Sequence, residues 1–364
     1  MKGNGMDAIS VIIPTYNRAR FIDRAIRSAL AAVSEGDEII IVDDGSTDDT
    51  ASVVEPWLDR VRYVRIENRG AGGARNHGIS LASKPLIAFL DSDDEWFADK
   101  LALQRPFMAA NPDIVFCFTD FAFHNDDTGV QERMYLRHWH SLDEGWEGNV
   151  APGFKYSSRF ELPKSRDDFT VHIGDFYTVQ LDALLVAAWT TVVRRELAGD
   201  ALHFTEGIKI CEDWWCYANL ARRGPVAFFK CETAWNHGHT GLRVTDASKY
   251  DFLTCRLQMT ENVWGADEQF RTQHGRRYSH AVRHIHHERA KWLISRGKMR
   301  EARADLTRAR AGMAMRILAS LPGPVALLLG ELRRLTMQVR HLGLLTLPLA
   351  TAFLQDSLVP ALVA

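Results

Sequence analysis

Long apolar runs are missing from this chain of 364 residues. A membrane-spanning helix needs a stretch of about 18 or more predominantly apolar residues. The closest approaches are 317–330, interrupted by Pro322 and Pro324, and 342–354, interrupted by Pro348. No spanning helix is therefore expected. At the N-terminus Asp7 precedes the first apolar run, 9–13, which stops at Pro14. That pattern does not read as a secretory leader. Cysteine is scarce: five residues, an odd number, with no C-x-x-C pair. This excludes a disulfide framework and a zinc ribbon, and it favours small buried hydrophobes in a cytoplasmic protein. The G-x-G-x-x-G fingerprint of dinucleotide-binding folds is absent too, which argues against a dehydrogenase. Net charge is nearly absent, at -2, but this sum hides an asymmetry. Residues 276–340 carry fifteen Lys and Arg against four Asp and Glu, while residues 1–275 carry 29 basic and 41 acidic side chains.

What is present is an ordinary globular composition, 46% hydrophobic and 25% charged, which leaves little room for disorder or coiled coil. Short β-branched runs at 9–13, 38–42, 61–66, 86–90 and 114–118 alternate with helical spacing at 21–33, 47–58, 73–82 and 100–110. Such alternation predicts an α/β fold with a mostly parallel central sheet, its strands covered on both faces. Ligands of such sheets bind at the carboxyl ends of the strands. Four strand ends in succession carry polar or glycine-rich segments: Pro14-Thr15-Tyr16-Asn17-Arg18, Asp43-Asp44-Gly45-Ser46, Asn68 to Asn76, and Asp91-Ser92-Asp93-Asp94. Residues 124–129 read as a hairpin or loop. Residues 124–187 differ in texture: the stretch to Ser165 is rich in aromatics, Gly and His with no clear period and reads as an excursion that could shape a second binding site. A strand at 189–194, a helix at 214–223 and a strand at 225–229 follow. From about residue 250 the pattern is helical, with 290–310 resembling a helical hairpin.

Two carboxylates on alternate residues at a buried strand end, Asp91 and Asp93, repel each other unless a cation intervenes. Hard oxygen ligands select Mg²⁺ or Mn²⁺, usually together with substrate phosphates. Asp43 and Asp44 could accept hydrogen bonds from a base and a ribose, and Tyr16 could stack on the base. Asp44-Gly45-Ser46 also makes a turn and a helix cap. The glycines at 70–73 would let backbone approach a ligand, and Arg75 could hold a phosphate. Glu212-Asp213 before Trp214-Trp215 suits a helix start. The Trp pair suits either a sugar platform or core packing.

In their order and spacing, Val11 to Arg18, Ile41 to Asp48, Gly72-Gly73-Ala74-Arg75-Asn76-x-Gly78 and Phe89 to Asp94 resemble family 2 glycosyltransferases of the GT-A fold. The resemblance spans roughly 8–245 and is strongest over 8–100. It implies an inverting, metal-dependent transfer of a sugar from a nucleotide-diphosphate donor, a UDP-sugar by preference, to a glycan or glycolipid hydroxyl in bacterial surface polysaccharide synthesis. It implies that Pro14, Thr15, Tyr16, Asn17, Asp43, Asp44, Arg75 and Asp91 line the nucleotide. Asp93 and Asp91 would hold Mn²⁺ or Mg²⁺ with a histidine, His237 in preference to His239. Glu212-Asp213-Trp214 resembles the segment bearing the base, with Asp213 ahead of Glu212. Two further readings are a nucleotidyltransferase, disfavoured because Pro14–Arg18 lacks glycine, and a non-catalytic nucleotide-sugar-binding module.

The expected organisation is a nucleotide-sugar half at 1–125, an acceptor half at 126–249 and an Arg-rich helical region at 250–364. The basic region carries no nucleic-acid motif, so nucleic acid is not an expected partner. It suits the anionic inner face of a membrane, a helical cap on the body or a homodimer contact. His280, His284, His286 and His287 read as a solvated helix face.

Overall fold

The computed structural model describes residues 8–140, 146–164, 166–208, 210–240 and 248–320. It forms two compact units: Met1–Ala247 with Met259–Glu268, and Ser248–Gln258 with Gln269–Ala364. In the first unit the chain runs β1 (Ile9–Thr15), α1 (Ile22–Ala32), β2 (Glu38–Asp43), α2 (Thr50–Val54), β3 (Arg62–Arg65), α3 (Gly70–Leu81), β4 (Leu86–Phe89), β5 (Glu95–Trp96) and α4 (Lys100–Ala110). It continues through β6 (Phe116–Asn125), β7 (Gln131–Glu132), α5 (Leu136–His140), β8 (Gly153–Lys155), β9 (Thr170–Gly174), α6 (Phe176–Gln180), β10 (Val192–Arg194), α7 (Arg195–Ala198), α8 (Glu212–Ala221) and β11 (Val226–Gly238).

Among the described residues these strands form one sheet in the order β3-β2-β1-β4-β10-β6-β11-β9-β8, with β5 on β11 and β7 on β6. The sheet is mixed, but β3, β2, β1, β4, β6 and β11 share one direction, as the expected mostly parallel sheet requires. Pairing is parallel across β3-β2-β1-β4 and between β6 and β11, while β10 runs antiparallel to both β4 and β6. The fold is nonetheless the anticipated α/β type. The apolar residues of β1, β2 and β4 are fully or almost fully buried. β3 departs from the expectation of two covered faces, because it is an edge strand with Arg62 and Arg65 exposed.

Pro14 does not end β1. Its position pairs with Val42 of β2, whereas pairing with β4 stops at Ile12. The missing N–H therefore falls where no β4 partner remains. Helix α3 begins at Gly70, earlier than the spacing suggests. A β-carbon on Gly78 would stand 2.4 Å from Ile12 Cγ2, so glycine here sets how closely α3 lies on β1.

Residues 124–129 do form a turn, between β6 and β7. The aromatic excursion adds β9 and β8 to the far edge of the sheet. Its rings pack inward: Tyr156 and Phe169 are buried against Phe229, and Phe176 against Phe118. Trp214 is also core, with its indole N–H donating to the Gln180 carbonyl at 2.9 Å, so it is not a sugar platform. All five cysteines are buried.

The second unit draws on α9 (Lys249–Asn262), α10 (Glu268–Ser295), α11 (Met299–Arg308) and α12 (Met313–Ser320). Leu293, Ile294, Met299, Ala302 and Leu306 form the core of the expected hairpin. Gly297, at φ +72°, makes its turn. His286 corrects the solvated-face reading. It is buried, and its Nδ1 lies 2.7 Å from Asp305, whereas His280 and His284 are exposed. No described helix is long and apolar enough to cross a membrane. Most of the tail segments 317–330 and 342–354 lie outside the described residues.

Candidate active site

The carboxyl ends of β1, β2 and β4 lie side by side through the parallel register, and the polar segments converge there. After β2, Asp43 accepts the Ser46 N–H at 2.7 Å and the Tyr63 hydroxyl. Gly45 completes the turn at φ +81°, where a β-carbon would meet Asn68 N and Ile66 O at 3.3 Å. Asp44 is buried and pins the start of α3. Its two oxygens accept the Arg69 and Gly70 N–H groups at 2.7 and 2.8 Å. Burial pushes its carboxyl above the ordinary value, against these bonds. Both acids thus already have structural work, which leaves fewer acceptor positions for a ligand. Tyr16, by contrast, is 44% exposed. Asn17 adopts φ +53° and clasps the β2 turn, donating from its N–H to Ser46 Oγ and accepting the Thr47 N–H.

The glycines of α3 admit protein. Gly72 faces the Thr205 carbonyl and Gly73 faces Arg69 and Glu206. Arg75 of α3 is buried and donates to Asp91 at 2.7 Å and to Glu212 at 2.9 Å, with its guanidinium over the Phe204 ring. Burial opposes its charge, but Asp91 and Glu212 outweigh it and hold the group firmly protonated. A guanidinium so engaged orients two acids through its two terminal nitrogens.

After β4, the turn from Asp91 to Asp94 closes with Asp94 N–H on the Asp91 carbonyl. Asp93 Oδ2 takes Arg18 Nε and His239 Nε2, each at 3.2 Å. Its burial favours the neutral acid, but His239 and Arg18 prevail and lower its pKa. Asp94 is raised well above its ordinary value by burial and by Asp93 and Asp91, although it accepts the His237 backbone N–H and the Asn236 amide. The histidine beside Asp93 is therefore His239, stacked on Phe21 at 4.2 Å. His237 turns instead to His124 and Asp126, so the preference for His237 at Asp93 is corrected. Strand β11 runs on to Gly238 and leaves His239 just beyond its end.

Helix α8 supplies the remaining acids. Cys211 precedes it at φ +65°, and Glu212 and Asp213 fill its first turn, where the helix dipole favours negative charge. Asp213 Oδ1 accepts the Trp214 N–H at 2.7 Å. Burial first, then Glu212, pushes its carboxyl up to about 7, against the pull of Arg75. A carboxyl titrating near neutrality is suited to general-base work. Sequence reasoning assigned no role to Arg18, Arg24, Tyr63, His124 or Asp126. Their partners lie 20 to 113 positions away in sequence, a distance that local patterns do not report.

Thr15 Oγ1, Arg75 Nε and His239 Nδ1 are buried without a protein partner. Native interiors leave few such atoms, and a ligand site is one reason for them. Three acids stand close together in the β4 turn, and Asp93 and Asp91 help to raise the pKa of Asp94, a repulsion that a divalent cation would relieve. Asp93 and His239 supply oxygen and nitrogen donors that fit one.

The model for Glycosyl transferase family 2 matches residues 10–169. An uncharacterized glycosyltransferase of Rickettsia bellii is 39% identical over 158 residues, covering 43% of this chain and 22% of that protein. The Escherichia coli UDP-Glc:alpha-D-GlcNAc-diphosphoundecaprenol beta-1,3-glucosyltransferase WfaP is 38% identical over 124 residues, 33% of this chain and 49% of that one. The chain thus spans between about a fifth and a half of the curated relatives it matches. The crystal structure of S. aureus TarS 1-349 with UDP-GlcNAc superposes with a TM-score of 0.57 at 16% identity, covering 88% of each chain. That likeness establishes the fold, the GT-A type expected from the sequence.

Proposed function

We propose that this chain, whose residues 10–169 belong to glycosyl transferase family 2, transfers a sugar from a nucleotide-diphosphate donor to a hydroxyl of a glycan or glycolipid. The observation that carries the reading is one convergence: Asp91 and Asp93 at the end of β4 and Asp213 at the start of α8, with Arg75 bonded to both Asp91 and Glu212. The donor is a UDP-sugar, in keeping with the UDP-Glc enzyme of E. coli and the UDP-GlcNAc bound to TarS. A Bacillus subtilis relative, the putative teichuronic acid biosynthesis glycosyltransferase TuaG, 38% identical over 128 residues, supports a place in bacterial surface polysaccharide synthesis.

Thr15, Tyr16 and Asn17 line the base side. Asp43 and Asp44 hold the loops that shape it, with Asp44 fixing α3 through its first N–H groups. Asp93, Asp91 and His239 would hold Mg²⁺ or Mn²⁺, which when bound offsets charge on the leaving diphosphate. Asp213 accepts the acceptor's hydroxyl proton as that oxygen bonds to the anomeric carbon. The carbon–oxygen bond to the diphosphate breaks, and the configuration inverts. Glu212 is held by Arg75 and stays an orienting group. The basic region from 276 onward supports peripheral contact with an anionic membrane face, and a homodimer contact is a second role for it.

A thermal-shift panel of nucleotide sugars with Mg²⁺ or Mn²⁺ tests the reading. A ligand that binds only the native state at a hundred times its Kd adds about 2.7 kcal/mol. One donor should raise the unfolding temperature more with metal than with chelator, and Asp93→Asn should remove the difference. No shift with any donor would sink the proposal. A shift unchanged by chelator would sink its metal.

A further inference from the structure

We infer that His124, Asp126 and His237 form a binding site for one divalent transition-metal ion of the zinc class, separate from the Asp91–Asp93–His239 group. His124 and His237 face each other at the ends of the parallel strands β6 and β11, and Asp126 reaches in from the following turn. Three donor atoms meet there. His237 Nδ1 lies 2.7 Å from Asp126 Oδ1, His124 Nδ1 lies 3.1 Å from the same oxygen, and the two ring nitrogens are 3.4 Å apart.

These separations match a coordination shell. Metal–nitrogen bonds of about 2.0–2.1 Å in a tetrahedron place neighbouring donors about 3.3 Å apart. The nitrogen pair is at that spacing, and the oxygen stands about 0.2 Å inside it from His124 and about 0.6 Å inside it from His237, a shift that a small side-chain rotation of Asp126 supplies. Imidazole donors select zinc, cobalt, nickel or copper over the hard cations that all-oxygen sites take.

Proton bookkeeping supports an ion. The far nitrogen of His237, Nε2, lies 3.3 Å from Glu95 Oε2. In a neutral ring only one nitrogen carries a proton. If Nε2–H donates to Glu95, the Nδ1 lone pair is aimed at a carboxylate oxygen 2.7 Å away, which is repulsive. If Nδ1–H donates to Asp126, the repulsion moves to Glu95. An ion among Nδ1, Nδ1 and Oδ1 removes the conflict, and Glu95 becomes the outer carboxylate that metal-bound histidines commonly have. Arg24 donates to both Asp126 oxygens and to the Asp93 carbonyl, which steadies the turn. His237 is buried, whereas His124 keeps 27% of its side chain exposed, which leaves a way in. The ion would clasp β6 to β11 two residues before His239. The competing source of order is a proton alone, with His237 as imidazolium.

The test is a Co²⁺ titration of the chelator-stripped full chain, followed by visible absorption and closed by Zn²⁺ competition. One Co²⁺ per chain should give tetrahedral-type bands that Zn²⁺ abolishes. Asp93→Asn should keep the bands and His124→Gln should lose them. Glu95→Gln, at a side chain 38% exposed, should weaken binding 10- to 100-fold without threatening the fold, which circular dichroism verifies for each variant. No bands at Co²⁺ in excess of protein would overturn the site and leave the proton. Bands lost in Asp93→Asn but kept in His124→Gln would overturn it as well.

Discussion

Replacing Asp213 by Asn separates the chemistry of this carboxyl from what its position costs the fold. Its pKa moves from 3.8 to about 7 on burial beside Glu212. Three units at 1.36 kcal/mol each correspond to about 4 kcal/mol between the two protonation states. The sign follows from proton counts. Between about pH 4 and pH 7 the native state holds a proton that the unfolded chain has released, so this group lowers stability as pH rises, and its effect levels off above about 7. Asn has no proton to lose and keeps an oxygen for the Trp214 N–H. Urea unfolding of both proteins at pH 5 and pH 8 should therefore show the variant gaining about 3 kcal/mol on the parent between the two values. In parallel, transfer at pH 8 should fall 10²- to 10⁴-fold with nucleotide binding retained. A stability difference that stays constant across this range would refute the burial argument. Undiminished transfer would remove Asp213 as the base.

Removing Arg75 leaves Asp91 and Glu212 facing each other without their cation. Arg75→Met should cost about 3–5 kcal/mol in chemical denaturation, and adding Glu212→Gln should restore part of that; equal stability of Arg75→Met and the parent would contradict the bridge. Gly78→Ala forces a methyl into Ile12, and a loss of about 1–3 kcal/mol is expected, read from the unfolding midpoint; no loss would mean that α3 moves away freely. Deleting 321–364 spares α10, α11 and α12 and should reduce sedimentation with anionic vesicles while leaving the nucleotide-induced thermal shift intact. Equal sedimentation of both proteins would remove that segment as the anchor.

The alternating α/β order and the four strand ends were legible because each is a local pattern: a short β-branched run followed at once by acids or glycine. The antiparallel β10 was not, since Val192–Arg194 is three residues long and its direction depends on where 126–191 returns the chain. Arg75 was legible as part of the site but not in its partners, because Glu212 lies 137 positions away. His237 and His239 have the same local signature. Only the end of β11 decides which of them reaches Asp93, and that end depends on its pairing with β6. His286 looked solvated because Arg and His surround it in sequence, yet Asp305 from the next helix gives its ring nitrogen a hydrogen-bond partner in the interior.

The grip of Asp44 on the first N–H groups of α3 has a consequence for redesign. Asp44, which the family resemblance puts beside the nucleobase, anchors the helix that carries Arg75, and through Arg75 it is linked to Asp91 and Glu212. Under the proposed function, donor preference and the alignment of the acids would share a hinge pin, and a substitution at position 44 aimed at one would disturb the other. Tyr16, exposed at the neighbouring strand end, offers a position where the two can be varied independently.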